Sequence, residues 1–135
     1  MSLDVNRNTL TCTRLLNFFF SMKLNIRLHH WNTSSFARHK ATDGFLSKFE
    51  SQSDRFIEVY QAVYGKIFCT DSEFSVKVMD LKDNELEQFL DKAITFFKDE
   101  LILLELINEQ DTELLNIRDE IIGEIQQLKY LLTFN

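Results

Sequence analysis

The chain has 135 residues with a net charge of −6, no proline and three glycines. A chain of this length forms one domain, and the scarcity of turn residues argues against a strand-rich fold. The acidic balance also disfavours an electrostatic surface for nucleic acid. We therefore predict a few long helices in a single domain that spans residues 1–135.

The first predicted helix runs from about Thr9 to Trp31 because apolar residues recur there at helical spacing. The regular stripe consists of Leu15, Phe19, Met22 and Ile26. Further apolar residues widen this surface, namely Leu16, Phe18, Phe20 and Leu28. A helix that is apolar on most sides is buried by more than one neighbour. We expect the bundle on one side and a second subunit on the other.

The second predicted helix follows a short polar turn and runs from about Ser35 to Tyr64, with Gly65 as its C-terminal cap. Its main apolar face consists of Phe45, Phe49, Phe56, Tyr60 and Val63. The connection after it, Lys66 to Asn84, is long enough to cross a bundle from end to end. It is expected to hold a short helix or an extended piece around Phe74–Met79.

The third predicted helix is capped by Asp83 or Asn84 and reaches about Asn108. Its apolar stripe is Leu86, Leu90, Ala93, Phe97, Leu101 and Leu104. A break at residues 110–112 precedes the last helix, which ends near Leu132. The stripe of the last helix is Leu114, Ile121, Ile125, Leu128 and Leu132.

The predicted pattern is four helices joined by a short, a long and a second short connection, and these lengths restrict how the helices can be arranged. Short links make antiparallel neighbours, and one long link joins the two pairs. We therefore predict an all-α fold, a ferritin-like four-helix bundle with one long crossover between helices 2 and 3.

Compartment and membrane association are also constrained by the sequence. Cys12 and Cys69 are far apart and outside a Cys-x-x-Cys pattern, which predicts reduced thiols in a cytoplasmic protein. Asp4 and Arg7 precede any apolar run, so we expect no signal peptide. Polar residues interrupt the apolar stretch from Leu15 to Leu28, so we expect no membrane span.

Five residues near the front of the chain are candidate metal ligands: His30, His39, Asp43, Asp54 and Glu58. Imidazole and carboxylate groups bind divalent transition metals. Two i, i+4 pairs, one of His39 with Asp43 and one of Asp54 with Glu58, can each chelate from consecutive helical turns. Asp43 and Asp54 lie eleven residues apart, about 16 Å along a helix, so one ion cannot bind both ends within one chain.

The orientation of these candidates predicts where the site lies. On a helical wheel the four on the second helix share a sector of about 100°, roughly opposite the apolar face. This geometry favours a site on the outside of the bundle, completed by a second subunit. A two-fold axis across antiparallel copies of the helix would create two equivalent sites per dimer. His29 lies outside this register and is interpreted as an ordinary surface or interface residue.

The segment His30-Trp31-Asn32, followed by Phe36 and the remaining four candidates, resembles the signature of Dps-type mini-ferritins (DNA-binding proteins from starved cells). From His39 onward the spacings match that pattern. The tail is similar as well, in Asp111-Thr112 followed by Leu114-Leu115 and in Tyr130-Leu131-Leu132.

The resemblance implies a ferroxidase site between two-fold-related subunits. Ferrous iron would be oxidised by hydrogen peroxide or dioxygen and stored as a ferric mineral in a shell of twelve subunits. His30, His39 and Asp43 would come from one chain, and Asp54 and Glu58 from its partner. The site would hold one or two iron ions, with zinc as a substitute metal. Trp31, next to the site, would donate an electron and limit radical escape.

Three departures from the family pattern qualify this expectation. The linker between Trp31 and His39 is about three residues shorter than usual and lacks a glycine, which would tilt His30 away from the other ligands. The N-terminus lacks a lysine-rich tail, so we do not expect tail-driven DNA binding. The third and fourth helices contain no histidine, which excludes the intrasubunit di-iron site of larger ferritins.

Other interpretations stay open at this point. Paired carboxylates on a helix are usually a solvated surface, and a lone histidine is usually structural. On this interpretation the chain is a ferritin-like structural protein whose site is vestigial or only links a dimer through metal. The other alternative is a helical adaptor without metal. The phenylalanine-, asparagine- and lysine-rich composition is typical of AT-rich genomes, including those of large DNA viruses. A viral source would favour the structural role in a particle.

Overall fold

Four helical segments make up the fold, and there is no strand in residues 12–67 and 74–134, the part of the chain that the computed structural model describes. A π-helical turn, Cys12–Leu16, leads into α1 (Asn17–Asn32). The others are α2 (Phe36–Tyr64), α3 (Asp83–Thr95) and α4 (Thr112–Leu131). The predicted all-α class is confirmed.

The predicted stripe of the first helix is buried: Leu15 lies in the π-helical turn, and Phe19, Met22 and Ile26 lie on α1. The opposite surface of α1 is apolar but open, with Phe20 and Leu24 exposed. The predicted helix start at Thr9 lies outside the described residues. No helix in the described ranges combines the length and apolarity that crossing a membrane requires.

Helix α2 begins and ends where its local sequence predicts. The Ser35 hydroxyl accepts a hydrogen bond from the Arg38 backbone N–H at 3.2 Å, and Gly65 follows the last turn with φ 95°. A side-chain cap and a positive-φ glycine satisfy helix ends without tertiary help. The predicted core residues Phe45, Phe49, Phe56 and Tyr60 are buried. The prediction was wrong for Val63, which lies in the last turn on a side that the core does not cover and is 49% exposed.

Helix α3 begins one residue earlier than its predicted cap. Lys82 occupies the N-cap position. Its backbone N–H donates a hydrogen bond to the Glu85 carboxylate at 2.9 Å. Asp83 and Asn84 are therefore helical residues, and their prediction as the cap was wrong. The glutamate at the third helical position satisfies the backbone N–H of the N-cap residue, as in one half of a capping box.

The far end of α3 continues through a π-helical turn, Phe96–Glu100, into a last α-helical turn, Leu101–Leu103. The helix stops well before the predicted Asn108. Glu105 takes φ 57°, and the Leu106 N–H bonds to the Leu101 carbonyl at 2.9 Å. A positive φ with such a wrapped-back bond terminates a helix.

Helix α4 buries its whole predicted stripe, Leu114, Ile121, Ile125, Leu128 and Leu132. It packs against α2, which also packs against α1. The start of α4 is tied to the end of α2, because the Tyr64 hydroxyl donates to the Asp111 carboxylate. The buried apolar side chains of all four helices form one cluster.

The described part of the crossover, residues 74–81, is extended and runs alongside α1 in the same direction. Amide side chains of α1 hold its main chain. Asn17 donates to the Ser75 carbonyl at 2.7 Å. Asn25 donates to the Lys77 carbonyl at 3.0 Å and accepts from the Met79 N–H at 2.6 Å. Of the two predicted forms for this segment, the extended one is observed.

Candidate metal centre

The tight turn between α1 and α2 brings two of the predicted ligands together. His30 lies in the last turn of α1 and His39 in the first turns of α2. Their rings stack with centroids 4.0 Å apart and planes 16° from parallel. The shortened linker was expected to tilt His30 away from the other ligands, but it places the ring directly against His39.

Each of these two imidazoles is fixed by the backbone of the other residue. The Nδ1 of His30 lies 2.8 Å from the His39 carbonyl, and the Nδ1 of His39 lies 3.0 Å from the His30 carbonyl. A carbonyl can only accept, so each Nδ1 carries the proton. In the neutral rings the lone pairs are therefore on Nε2. Metal-ligating histidines are commonly held in this way, with the second ring nitrogen donating to a carbonyl.

The surroundings of His30 favour its neutral form. The pKa of His30 is lowered, mainly because the ring is buried, and the neighbouring His39 and Arg27 lower this pKa further. The hydrogen bond to the His39 backbone and the nearby Asp43 carboxylate act in the opposite direction without cancelling the shift. A neutral imidazole is the form that binds a metal.

Asp43 lies beside this pair but is not buried with it. Its carboxylate is exposed and 4.0 Å from the Arg27 guanidinium, a loose surface ion pair of small energy. Together His30, His39 and Asp43 form what we call the histidine half-site.

Asp54 and Glu58, which we call the acid half-site, lie on the exposed surface of the same continuous helix. Eleven residues separate Asp43 from Asp54, which is about 16 Å along α2. Neither acid is hydrogen-bonded or ion-paired to any described residue. Within the described residues no group of three histidine, cysteine or acidic side chains is arranged to hold a metal ion. The structure thus assembles one half-site and leaves the other on bare helix.

Two aromatic residues flank the histidine half-site. The Phe36 ring lies nearly parallel to His39, with centroids 6.5 Å apart and planes 23° from parallel. Phe36 is 76% exposed and Trp31 is 70% exposed. Large apolar side chains at this exposure beside a polar site are typical of interaction surfaces.

His29 is the residue that the sequence interpretation placed wrongly. It is only 2% exposed, with Nδ1 2.8 Å from the Leu81 carbonyl of the crossover. Its burial depends on a segment more than fifty residues away, which no local pattern predicts. The local sequence offers only a partial signal: polar residues recur along one side of α1, namely Asn17, Ser21, Asn25, His29 and Asn32, but they do not indicate which segment covers that side.

Comparison with known proteins identifies a family but no function. Residues 30–132 match the model of a family of unknown function (DUF5856), and the chain belongs to that family. The matched range contains all five candidate ligands. No curated protein and no solved structure shows significant similarity to the chain.

Proposed function

We propose that this protein is an iron-oxidising mini-ferritin of the Dps type, with a ferritin-like bundle and a site shared between two subunits. The observation that carries the proposal is the histidine pair. Both rings hold their Nδ1 protons on backbone carbonyls, 2.8 and 3.0 Å away, and so present Nε2 lone pairs from a fixed position. Histidines that bind metals are commonly held in this way, which supports the proposal.

The donor set fits iron. Imidazole nitrogens with carboxylate oxygens suit the divalent first-row metals, and no thiolate is among the candidate ligands. His30 and His39 would bind through Nε2, with Asp43 beside them. A binding pair of this kind also explains why a buried imidazole sits against a second imidazole with no carboxylate hydrogen-bonded to either ring.

The missing ligands are supplied by a second copy of the chain. Positions 39 and 58, and likewise 43 and 54, are centred on the same point of α2, between residues 48 and 49. An antiparallel two-fold pairing about that point places His39 opposite the partner's Glu58 and Asp43 opposite the partner's Asp54. Ser47, beside the midpoint, is exposed and small, so the helices can approach closely. Two facing carboxylates repel one another unless a cation lies between them.

Ferrous iron is the substrate in this proposal. Two ferrous ions each give up one electron, and one hydrogen peroxide takes both, its O–O bond breaking to give two hydroxide ions. Dioxygen is the alternative oxidant. The chain binds and orients the ferrous ions through its two half-sites, and Trp31 lies where it can give an electron to a radical that escapes. The products are stored as ferric mineral within a closed oligomer.

A mixing experiment tests the shared site directly. Two inactive variants, His39→Ala and Asp54→Asn/Glu58→Gln, are unfolded together and refolded at equal amounts, and aerobic ferrous oxidation is followed by ultraviolet absorbance. Random pairing makes half the dimers mixed, each with one intact site, so about a quarter of the wild-type activity returns. Separately refolded and then combined variants are the control.

The outcomes separate the proposal from its alternative. If neither the wild type nor the refolded mixture exceeds buffer, the ferroxidase function is wrong. The exposed Trp31 and Phe36 then favour a ferritin-like structural role, in which the site staples two subunits with zinc. Activity in wild type that mixing does not restore would place the whole site within one chain.

A further inference from the structure

We propose a second divalent-cation site on another side of α1, formed by His29 and Asp83, separate from the site of the proposed function. No part of the iron-oxidising proposal uses either residue. The two side chains meet where the end of α1, the crossover and the start of α3 come together. An open cavity at this junction is lined by both of them and by Asn32, Ser34 and Asp80.

The first observation is an unpartnered buried nitrogen. His29 is 98% buried, and its Nδ1 is committed to the Leu81 carbonyl. Its Nε2 is buried and has no hydrogen-bond partner among the described residues. Because a carbonyl only accepts, Nδ1 carries the proton and the neutral ring presents an Nε2 lone pair. A buried lone pair of this kind needs a hydrogen-bond donor or a cation, because burying it without either lowers the stability of the fold.

The second observation is the carboxylate that faces this nitrogen. Asp83 Oδ1 is 3.8 Å from His29 Nε2, which is too far for a hydrogen bond. Zinc lies about 2.0–2.2 Å from imidazole nitrogen and carboxylate oxygen, so one ion between the two atoms accounts for the separation. The other oxygen, Oδ2, is 3.5 Å from Arg38 Nε, which holds the carboxylate in place.

The charges around the gap are close to balanced. Asp80 lines the same cavity as His29 and is paired with Lys82 at 2.9 Å. Arg38 is shared between Asp83 and Glu87, 3.1 Å away. A cation at Asp83 Oδ1 therefore enters a region where each positive side chain already has a carboxylate partner.

The ligand types define the class of ion. One imidazole and one carboxylate favour zinc, cobalt or ferrous iron over magnesium and calcium, which prefer all-oxygen shells. Two protein ligands leave the rest of the coordination shell to water. The site is thus a weaker and more open one than the shared iron site.

Calorimetric titration with zinc alone tests the proposal in a background that lacks the first site, His39→Gln/Asp54→Asn/Glu58→Gln. We expect one zinc ion per chain to remain bound. Adding His29→Gln or Asp83→Asn to that background weakens zinc binding at least tenfold, roughly the effect of losing a metal-supporting residue. Gln at position 29 can still donate to the Leu81 carbonyl.

The control is Asp91→Asn, which removes an exposed α3 carboxylate that is paired with Lys129 and leaves zinc binding unchanged. Asp83 is exposed, so its variant folds even if the change at position 29 does not. Absence of zinc binding in the background, which would indicate a bridging water only, overturns the proposal. Binding that neither substitution affects also overturns it. Failure of the iron-oxidising proposal appears instead in the wild type, as loss of ferrous oxidation.

Discussion

The histidine half-site and the acid half-site differ in how far contacts within the chain fix their side chains. The histidine half-site is built within one molecule, where a three-residue turn, two reciprocal hydrogen bonds and a ring stack fix both imidazoles. The acid half-site has no such support within the described residues, where Asp54 and Glu58 are exposed on the surface of α2. The proposed pairing of two copies would bring the exposed acids to the histidines that the fold already positions. The difference between the half-sites predicts different consequences when each is damaged.

The largest expected effect is on oxidation when the acid half-site is removed. Asp54→Asn/Glu58→Gln should lower the rate of aerobic ferrous oxidation at least tenfold, about the effect of losing a group that supports a metal. The free energy of unfolding should change by less than about 0.5 kcal/mol, as for most surface substitutions. Glu113→Gln/Glu120→Gln changes two exposed α4 acids as a matched control and should leave the rate unchanged. An equal loss in the control would show that the effect is one of overall charge.

Assembly should respond to a change at the midpoint between the half-sites. Ser47→Arg places a bulky charge where two copies of α2 are proposed to cross. Light scattering at micromolar concentration should give a multiple of 16.0 kDa for the wild type and a shift towards the single-chain mass for the variant. Oxidation should fall with assembly, because each site needs a partner. A wild type that is wholly monomeric contradicts the shared site.

Stability should respond to damage at the histidine half-site. His30→Ala removes a buried ring and the hydrogen bond to the His39 carbonyl, and should lower the free energy of unfolding by about 1–3 kcal/mol. Urea unfolding in the presence of a chelator measures this effect without metal. The Asp54→Asn/Glu58→Gln variant should unfold like wild type in the same assay. Equal stability of all three proteins would mean that the histidine pair contributes nothing to the fold.

The smallest expected effect is a dependence of stability on pH. Because the folded pKa of His30 is lowered, the unfolded chain binds a proton at higher pH than the folded chain does. Stability should therefore fall as the pH decreases through about 6.5, the ordinary histidine pKa, and level off below the folded pKa. Above that range both states are neutral at His30 and the effect vanishes. His30→Gln should lose this part of the slope, measured by urea unfolding between pH 7.5 and 4.5 with chelator.

What the sequence predicts well is what its local residues determine. The ends of α2 at Ser35 and Gly65 follow from a cap side chain and a glycine, and the buried stripes follow from periodicity. The helical-wheel positions of the candidate acids, roughly opposite the apolar face of α2, likewise predict that these acids are exposed. The start of α3 was misplaced by one or two residues because Lys82, whose backbone N–H donates to the Glu85 carboxylate, takes the N-cap position in place of Asp83 or Asn84. Boundaries of this kind depend on which of several adjacent polar residues takes the bond.

The predictions failed where a contact joins distant parts of the chain. His29 was placed on the surface because nothing near it in sequence reveals the Leu81 carbonyl that covers it. The mutual hydrogen bonds of His30 and His39 depend on the exact geometry of a short turn, which spacing alone does not give. The shared arrangement of the half-sites is a property of two chains, and it stays a prediction.

The crossover illustrates how an attachment can tolerate sequence change. The Asn25 side chain is hydrogen-bonded to the main chain on either side of position 78. It donates to the Lys77 carbonyl and accepts from the Met79 N–H. No side chain of the crossover takes part in these two hydrogen bonds. Substitutions at the exposed positions 77 and 78 therefore leave both bonds intact. Inserting or deleting a single residue there would instead move the wrong peptide group under the asparagine. The segment is thus permissive in composition and strict in length.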